Sequence, residues 1–404
     1  MGFLSAWRKT QVAKLDRTEL FKLPDWPRDQ IMSDLYSFKI GQHVFLILTM
    51  LCEDRKRPGL TQIFRMSGNP PFTFDPKPIA VFEFFHPRNI AITPEKDGAR
   101  WLWVADHGED FPPFPGGCSP LYRIYEDGRI EVKEDPELSQ PEFSFDGCLW
   151  ADASGRGLFL YQCNIGSSRP RLLYWSSLDE EAENLSHLLP QALVNGKERF
   201  LISRLIKQDE NGVDLFLGAD YSSPYQLTFD RDSLLRIGYD GEIERLEDAV
   251  PPRLRDKTWS TVESCLFRKT KDNDPSLLVI THDFGFTEGA VEILDIKSSQ
   301  LERGDSLPMP SMKGTQSWIA RAAIGDVDGD GRNDIVLYLR ATQGPYHDPQ
   351  SNYVLLRQEA NGQFAYATCQ ARGQDTHCVG GFFIGDRLIQ LRYSGWFEEV
   401  SFSF

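Results

Sequence analysis

Residues 325–334 read GDVDGDGRND, a stretch that places four carboxylates within nine residues. Carboxylates this close repel one another unless a cation holds them, and the glycines at positions 329 and 331 permit the tight turns that aim their oxygens at one point. We therefore predict a calcium site in this loop. Its expected ligands are the side chains of Asp326, Asp328, Asp330 and Asp334 and the backbone carbonyl of Arg332.

Two other interpretations of this loop fit the sequence less well. An EF-hand needs flanking helices and a Glu at the twelfth position of the loop, whereas the twelfth residue from Asp326 is Leu337 and the flanks are apolar and β-branched. A solvated acidic turn is the second alternative, but ordinary turns rarely alternate three Asp with two Gly. The pattern favours a calcium loop between two strands, in which the metal stabilises the fold and performs no chemistry.

The apolar strand that follows the loop recurs along the whole chain. Its seven copies are Phe45–Leu48, Leu102–Ala105, Leu158–Tyr161, Leu215–Gly218, Leu277–Ile280, Ile335–Tyr338 and Leu388–Leu391. Successive copies begin 53 to 62 residues apart, so seven similar units fill the chain almost without remainder.

Each unit has room for four strands. In the second unit we predict strands at Asn89–Thr93, Arg100–Ala105, Leu121–Tyr125 and Arg129–Lys133, with Asp127-Gly128 as the last hairpin turn. Four strands in each of seven units predict an all-β fold, a seven-bladed β-propeller with four-stranded blades and the calcium loop in the sixth blade.

The two ends of the chain are expected to meet in the last blade. We predict one domain over residues 31–404 and a separate N-terminal segment over residues 1–30. Phe397–Phe404 supplies the third strand of the last blade, and the N-terminal segment donates its outermost strand. Such pairing would cover strand edges that an open ring of blades leaves exposed.

Other units carry shortened versions of the acidic loop, such as Asp152–Gly157 and Asp209–Asp214, and none keeps the full ligand set. One well-formed calcium site is therefore expected. The repeats over roughly residues 35–395 resemble FG-GAP or VCBS repeats, the calcium-loop blades also found in integrin α-subunit propellers. His86-Pro87-Arg88 together with residues 106–116 is more similar to bacterial VCBS-repeat proteins. The resemblance implies a propeller fold and calcium, but no particular reaction.

The composition limits the partners, the cysteine chemistry and the cellular location that we expect. The formal net charge is −15, with 59 acidic against 44 basic residues, which disfavours nucleic-acid backbones and anionic membranes as partners. The seven cysteines include no CxxC pair, so reduced thiols are expected rather than zinc or a disulfide framework. Residues 1–16 have no apolar signal core and no segment is long enough to span a membrane, so we expect a cytoplasmic protein, with unconventional export left open.

Strand order sorts the loops onto two faces. The calcium loop joins the first and second strands of its blade, so the chain before each first strand and after each second strand emerges on the opposite face, here called the mouth face. Five of the seven histidines fall there. The candidate acid–base residues are His107, Asp106 and Asp110. The candidate ligand-binding residues are His86, Asp146, Asp220, Tyr221, Trp259, His282, Asp283, Trp318, Tyr346, His347, His377 and Trp396.

These residues support three hypotheses. The first is a calcium-stabilised propeller that binds a polar small molecule or glycan in the mouth of its channel. The second is an enzyme, a lyase, cyclase or hydrolase acting on a metabolite, because His beside Asp suits proton transfer. The third is a protein-interaction scaffold, which would show a broad apolar patch. No GxSxG, HExxH, P-loop or strand-bound GxGxxG sequence is present to favour the enzyme.

Overall fold

A computed structural model describes most of the chain. The described residues are 11–54, 56–109, 115–164, 169–195, 200–219, 232–251, 254, 259–283, 289–297, 300–308, 316–343, 353–370 and 377–403. Within them, 28 strands form seven four-stranded antiparallel blades, and in six of the blades the four strands follow one another along the chain. The predicted seven-bladed β-propeller is therefore the observed fold.

The first four blades are regular meanders. Blade 1 contains β2 (Gln30–Ile40), β3 (His43–Cys52), β4 (Gly59–Ser67) and β5 (Ala80–Phe84). Blade 2 contains β6 (Pro87–Ile92), β7 (Ala99–Asp106), β8 (Leu121–Tyr125) and β9 (Ile130–Lys133). Blade 3 contains β10 (Ser144–Ala151), β11 (Leu158–Asn164), β12 (Arg171–Trp175) and β13 (Glu183–Asn184). Blade 4 contains β14 (Phe200–Asp209), β15 (Gly212–Ala219), β16 (Ser233–Gly238) and β17 (Ile243–Leu246).

The last three blades close the ring. Blade 5 contains β18 (Trp259–Arg268), β19 (Pro275–Asp283), β20 (Gly289–Lys297) and β21 (Gln300–Pro308). Blade 6 contains β22 (Gln316–Gly325), β23 (Asp334–Gln343), β24 (Tyr353–Gln358) and β25 (Phe364–Gln370). Blade 7 contains β26 (Cys378–Ile384), β27 (Arg387–Arg392), β28 (Trp396–Ser403) and, as its outermost strand, β1 (Gln11–Lys22).

The N-terminal strand belongs to two blades. Residues 14–22 of β1 pair antiparallel with β28, whereas residues 11–14 pair in parallel with β25 of blade 6. Blades 6 and 7 consequently form one eight-stranded sheet. Since β1 leads directly into β2, it joins blade 1 covalently to the outer edges of the last two blades.

Helical structure is minor. The described residues contain two 3-10 turns, Ser186–Leu188 and Glu247–Ala249, and one short helix, α1 (Gln191–Val194). Within the described chain, none of these helices has the length and apolar character needed to cross a membrane.

The seven apolar segments found in the sequence all lie in second strands, namely β3, β7, β11, β15, β19, β23 and β27. Their side chains are buried on both faces because each blade packs between two neighbours. Every residue of β11 and of β15 is buried, for example. The apolar clusters between blades supply the core, and the one between blades 7 and 1 includes Leu46, Phe64, Phe382 and Phe397.

The first strand of every blade is innermost and carries a β-bulge. Neighbouring first strands contact one another around the axis. The bulge lies within the first five residues of each strand, and the extra residues are Ser33, Arg88, Phe145, Leu201, Val262, Ala320 and Val379. A bulge re-aims the side chains that follow it. Its repetition therefore brings seven equivalent positions to one level near the mouth end of the axis.

Candidate functional site

A ring of polar side chains lies at the level of these bulges. Arg321 of blade 6 is its most connected member. Its Nη1 lies 2.5 Å from Oε2 of Glu263 in blade 5, and its Nε lies 3.4 Å from Oδ1 of Asp34 in blade 1. Its Nη2 donates to the carbonyl of Arg88 in blade 2 at 3.2 Å and contacts the hydroxyl of Tyr36. One guanidinium thus contacts three other blades.

The ring continues through the remaining blades. Glu263 lies 3.5 Å from Nη2 of Arg204 in blade 4, and the same nitrogen lies 3.7 Å from Oδ2 of Asp146 in blade 3. Oδ1 of Asp146 accepts a hydrogen bond from Nδ2 of Asn89 in blade 2 at 2.7 Å. Tyr36 donates to the carbonyl of Arg88, next to Asn89, at 2.9 Å and completes the circuit.

Burial and pairing together set the charges in this ring. Burial opposes the positive charge of Arg321, but Asp34, Tyr36 and Glu263 outweigh it and raise its pKa, so the guanidinium stays protonated. Burial also raises the pKa of Tyr36 well above its usual range, which keeps the hydroxyl a donor. Five charged groups, three acidic and two basic, therefore neutralise one another almost completely.

The position of Asp146 differs from the predicted one. The sequence placed it in a loop of the mouth, but it lies inside β10, beyond the bulge, and is 0% exposed. Burial raises its pKa to about 6, against the opposing effects of Arg204 and the N–H groups of Ser203 and Gly147. Its carboxylate ties blades 2, 3 and 4 together and is not presented to a ligand.

The predicted acid–base residue His107 is also enclosed. It is 2% exposed, its ring stands edge-on to Phe143 at 3.6 Å, and it stacks on His86 at 5.2 Å. Its Nδ1 accepts a hydrogen bond from Nε of Arg88 at 3.0 Å. Burial and the nearby guanidinium lower its pKa to about 2, so His107 is neutral at physiological pH.

Asp106 shapes the turn around these histidines. Its carboxylate accepts backbone N–H groups from Phe85 at 3.3 Å, His86 at 2.8 Å and Gly108 at 3.1 Å. Burial raises its pKa despite these donors. General acid–base catalysis needs a group that can reach substrate and exchange a proton near the working pH. The geometry of Asp106 and His107 does not meet that requirement, and the acid–base role predicted for them has no structural support.

The other predicted mouth residues lie near strand ends or outside the described residues. Four of them stand within strands rather than in loops: Trp259 in β18, His282 and Asp283 in β19, and Trp318 in β22. Trp259 lies opposite Asp283 in the backbone register of β18 and β19. His377 precedes β26, where its carbonyl accepts the N–H of Tyr393, and half-buried Trp396 begins β28. Residues outside the described part of the chain are Asp110, Asp220, Tyr221, Tyr346 and His347. Among the predicted histidines whose side chains are described, His86 and His107 stack on each other.

Two positions missed by the sequence analysis are partly exposed beside this cluster. Arg88 and Phe145 are the bulge residues of blades 2 and 3, and the guanidinium carbon of Arg88 lies 5.0 Å from the centre of the Phe145 ring. Half-exposed Tyr36 joins them through the carbonyl of Arg88. The described residues beside the ring therefore include an aromatic ring and a guanidinium that are both partly exposed near the mouth.

The acidic loop connects β22 to β23 on the face opposite the mouth, as predicted. One carboxylate oxygen from each of Asp326, Asp328 and Asp334 lies within 4.8 Å of the other two, the one such acidic, His or Cys group among the described residues. Asp326 accepts four backbone N–H groups, including those of Gly329 and Gly331 at 2.7 Å. Asp334 accepts those of Val327 and, from β24, Gln358.

Two arginines contact carboxylates of the loop, one of them Asp328 of this cluster. Arg357 of β24 donates from Nε to Oδ2 of Asp328 at 2.7 Å and also contacts it through Nη2. Asp330, a predicted ligand, instead faces the guanidinium of Arg332. The chemistry of the three clustered carboxylates fits a hard cation that prefers oxygen ligands. Asp330, which was also predicted as a ligand, lies outside this cluster because its carboxylate faces Arg332.

The described residues also line two cavities away from the mouth. One of about 470 Å³ lies between the first hairpins of blades 1 and 7, where Lys39, Asn69, Ile384 and Arg387 are among its lining residues. A second of about 390 Å³, lined in part by His43 and Phe74, lies beside it. Neither cavity touches the polar ring.

The sheet topology defines the chain as a seven-bladed β-propeller. Comparison with known proteins gives no finer identity: no protein-family description matches the sequence, and no curated protein matches it. Among solved structures, the chain is similar to the β-propeller domain of the Trilobed protease from Pyrococcus furiosus, described as having an open velcro topology. That similarity has a TM-score of 0.41 and 12% identity, and covers 90% of this chain and 92% of the other.

A protein from Lactobacillus plantarum is similar at a TM-score of 0.43 and 13% identity, over 84% of this chain and 95% of the other. At these identities the likeness concerns the fold alone.

Proposed function

We propose that this propeller is a binding protein that holds an uncharged polar small molecule or glycan at its mouth and is stabilised by calcium in blade 6. The observation that best supports binding is the combination of the paired polar ring across the axis and the partly exposed Tyr36, Arg88 and Phe145 beside it. Aromatic faces with hydrogen-bond donors suit polar ligands with apolar faces, such as sugars.

The ring favours binding over catalysis. Each of its charged groups already faces an opposite charge at 3.7 Å or less, so none is left as a poised acid, base or nucleophile. His107 is held neutral and enclosed. The alternative enzyme, a lyase, cyclase or hydrolase, would need its catalytic residues elsewhere.

A scaffold is disfavoured by the described surface. Among the described residues, the exposed large apolar side chains are Ile31, Val81, Val132, Leu188 and Leu266. They lie in five different elements, and apolar residues scattered singly are normal on soluble surfaces. No broad apolar patch therefore supports protein docking on the described part of the chain.

Calcium is part of the proposal because three clustered carboxylates offer the oxygen ligands that it prefers. Asp326, Asp328 and Asp334 would hold the ion, and the backbone carbonyl of Arg332 remains a candidate ligand. The ion would neutralise the loop and stiffen the first hairpin of blade 6. The resemblance to FG-GAP and VCBS repeats supports this assignment and stays part of the proposal.

The binding proposal is tested by screening the protein against neutral monosaccharides, oligosaccharides and polyols by thermal shift and calorimetry. For any ligand found, Phe145→Ala and Arg88→Gln should weaken binding about tenfold or more, as expected for losing a stacking face or a hydrogen-bonding guanidinium. Lys39→Ala, an exposed change next to the β2–β3 hairpin on the opposite face, is the matched control. A ligand whose affinity responds to Lys39 but not to Phe145 or Arg88 would place the site elsewhere and refute the proposal.

A further inference from the structure

The ring of blades is closed at the junction between blade 7 and blade 1. Blades 1 to 7 follow one another along the chain, but β28, the C-terminal strand of blade 7, is not continuous with blade 1. At the outer edge this gap is closed by β1, which is covalently attached to blade 1 and held in blade 7 by pairing with β28. On its other side β1 pairs with β25 of blade 6, so closure at the outer edge depends on this one strand of the eight-stranded sheet.

The polar ring crosses the same gap at the inner edge. Blades 1 to 6 each contribute a polar side chain, in order Asp34 with Tyr36, Asn89, Asp146, Arg204, Glu263 and Arg321. Blade 7 contributes Gly380 at the equivalent position after its bulge, and therefore no side chain. Arg321 of blade 6 reaches Asp34 and Tyr36 of blade 1 directly.

We propose that Arg321 is an inner clasp that holds the ring of blades closed across blade 7, independently of the outer closure by β1. The contacts that carry this role are those to Asp34 and Tyr36, because the contact to Glu263 joins consecutive blades that the chain already connects. Buried charge networks can specify one arrangement of a fold even where they add little net stability. Here the arrangement specified is the closed ring.

Arg204 provides a matched comparison within the same ring. It also contacts two carboxylates, those of Asp146 and Glu263, but these belong to the blades directly before and after its own. Removing Arg321 takes the guanidinium partner from buried Asp34, and removing Arg204 takes it from buried Asp146, whereas Glu263 keeps the other arginine in either case. Only removal of Arg321 should also loosen blade 7.

The test is hydrogen–deuterium exchange with mass spectrometry on the full-length protein, wild type against Arg321→Met and Arg204→Met. For Arg321→Met we expect about tenfold faster exchange in β1 and β26–β28, with little change in blades 3 and 4. For Arg204→Met the faster exchange should fall in blades 3 to 5. The same exchange pattern in both variants, or unchanged protection of β1 and blade 7 in Arg321→Met, would overturn the clasp.

Two further variants separate the clasp from a simple charge-burial penalty. In the triple variant Arg321→Met, Asp34→Asn, Glu263→Gln both carboxylates that faced Arg321 are neutral, so the melting temperature should rise relative to Arg321→Met while blade 7 still exchanges fast. Recovery of blade 7 protection in the triple variant would show that burial of charge, and not the lost tie, caused the effect. If Arg321→Met does not fold, Arg321→Lys should give the same pattern at smaller amplitude, and a uniform pattern there would refute the proposal.

Discussion

The ring of Phe74 stacks on that of Phe21, with centroids 4.2 Å apart and planes inclined by 7°. Phe74 lies in the segment between β4 and β5 of blade 1, whereas Phe21 lies in the closing strand β1. Both rings also contact Phe397 at the start of β28. A loop of blade 1 therefore covers the seam that β1 and β28 form.

We predict that Phe74→Ala lowers the free energy of unfolding by about 1–3 kcal/mol, since it removes partly buried apolar area and an aromatic pair. Phe74→Leu keeps most of the area and should cost less. Chemical denaturation measures both. Equal stability of wild type and Phe74→Ala would mean that the loop contributes nothing to closure.

Deletion of residues 1–22 removes β1 and should expose the edges of β28 and β25. We predict a lower melting temperature and a tendency to associate, because Leu15 and other buried side chains are each worth ~1.5–3 kcal/mol and free strand edges pair with other chains. Calorimetry and light scattering check this. Deletion of residues 1–10, which leaves β1 in place, is the control; a chain without residues 1–22 that stays monomeric with an unchanged melting point would refute the prediction.

Chelation should lower the melting temperature if calcium occupies the loop of blade 6. A ligand that binds only the native state stabilises it by about 2.7 kcal/mol at a hundredfold excess over Kd. Asp328→Ala should reproduce most of that shift and make the protein insensitive to chelator, whereas Asp330→Ala should do less because its carboxylate faces Arg332. Differential scanning calorimetry and elemental analysis test this, and an unchanged melt with no metal detected would contradict it.

We predict that Asp232 makes the free energy of unfolding depend on pH. It is 2% exposed, and burial raises its pKa to about 7 although it accepts hydrogen bonds from the N–H of Ala219 and the hydroxyl of Thr261. A carboxyl whose folded pKa lies above its unfolded value of about 4 binds its proton better in the folded state. Its contribution is therefore complete below about pH 4 and is lost as the pH rises through about 7.

Asp232→Asn mimics the protonated carboxyl and can keep both hydrogen bonds if the Thr261 hydroxyl accepts. The gain in stability relative to wild type should grow by up to about 1.4 kcal/mol for each pH unit as the pH rises from about 4 to about 7, and should level off above that. Urea unfolding at several pH values measures this difference. The exposed change Asp240→Asn should not alter the pH dependence, and parallel curves for wild type and Asp232→Asn would contradict the assignment.

The propeller could be predicted because its strongest signals are local. Each second strand is buried on both faces, so stretches such as Leu158–Tyr161 are continuously apolar and recur at a regular spacing. In the second unit, the predicted strand Leu121–Tyr125 matches β8 at both ends, and the other three differ by at most two residues at either end. The position of the acidic loop between β22 and β23 follows from the same spacing, because the loop directly precedes the apolar second strand of its blade.

The site could not be predicted to the same depth, because its contacts are distant in sequence and depend on bulges. Arg321 meets Tyr36 across 285 residues, and no sequence spacing indicates that pair. Asp146 follows the single bulged residue Phe145 and is buried within β10 in the polar ring, whereas the sequence places it in a loop. The sequence predicts the strand end at which His107 lies. It does not predict that His107 is buried against Phe143, because only the fold brings this residue of the next blade near.

The shared strand β1 also constrains the order in which the blades can fold during synthesis. It leaves the ribosome before every other described strand, yet its partner β28 emerges after all of them, and β25 emerges not long before. Until then β1 has no edge to pair with, and its apolar side chains stay exposed to solvent or to chaperones. The nascent chain can complete blades 1 to 5 as each emerges, but the eight-stranded sheet of blades 6 and 7 can form only once the C-terminal strands are free of the exit tunnel.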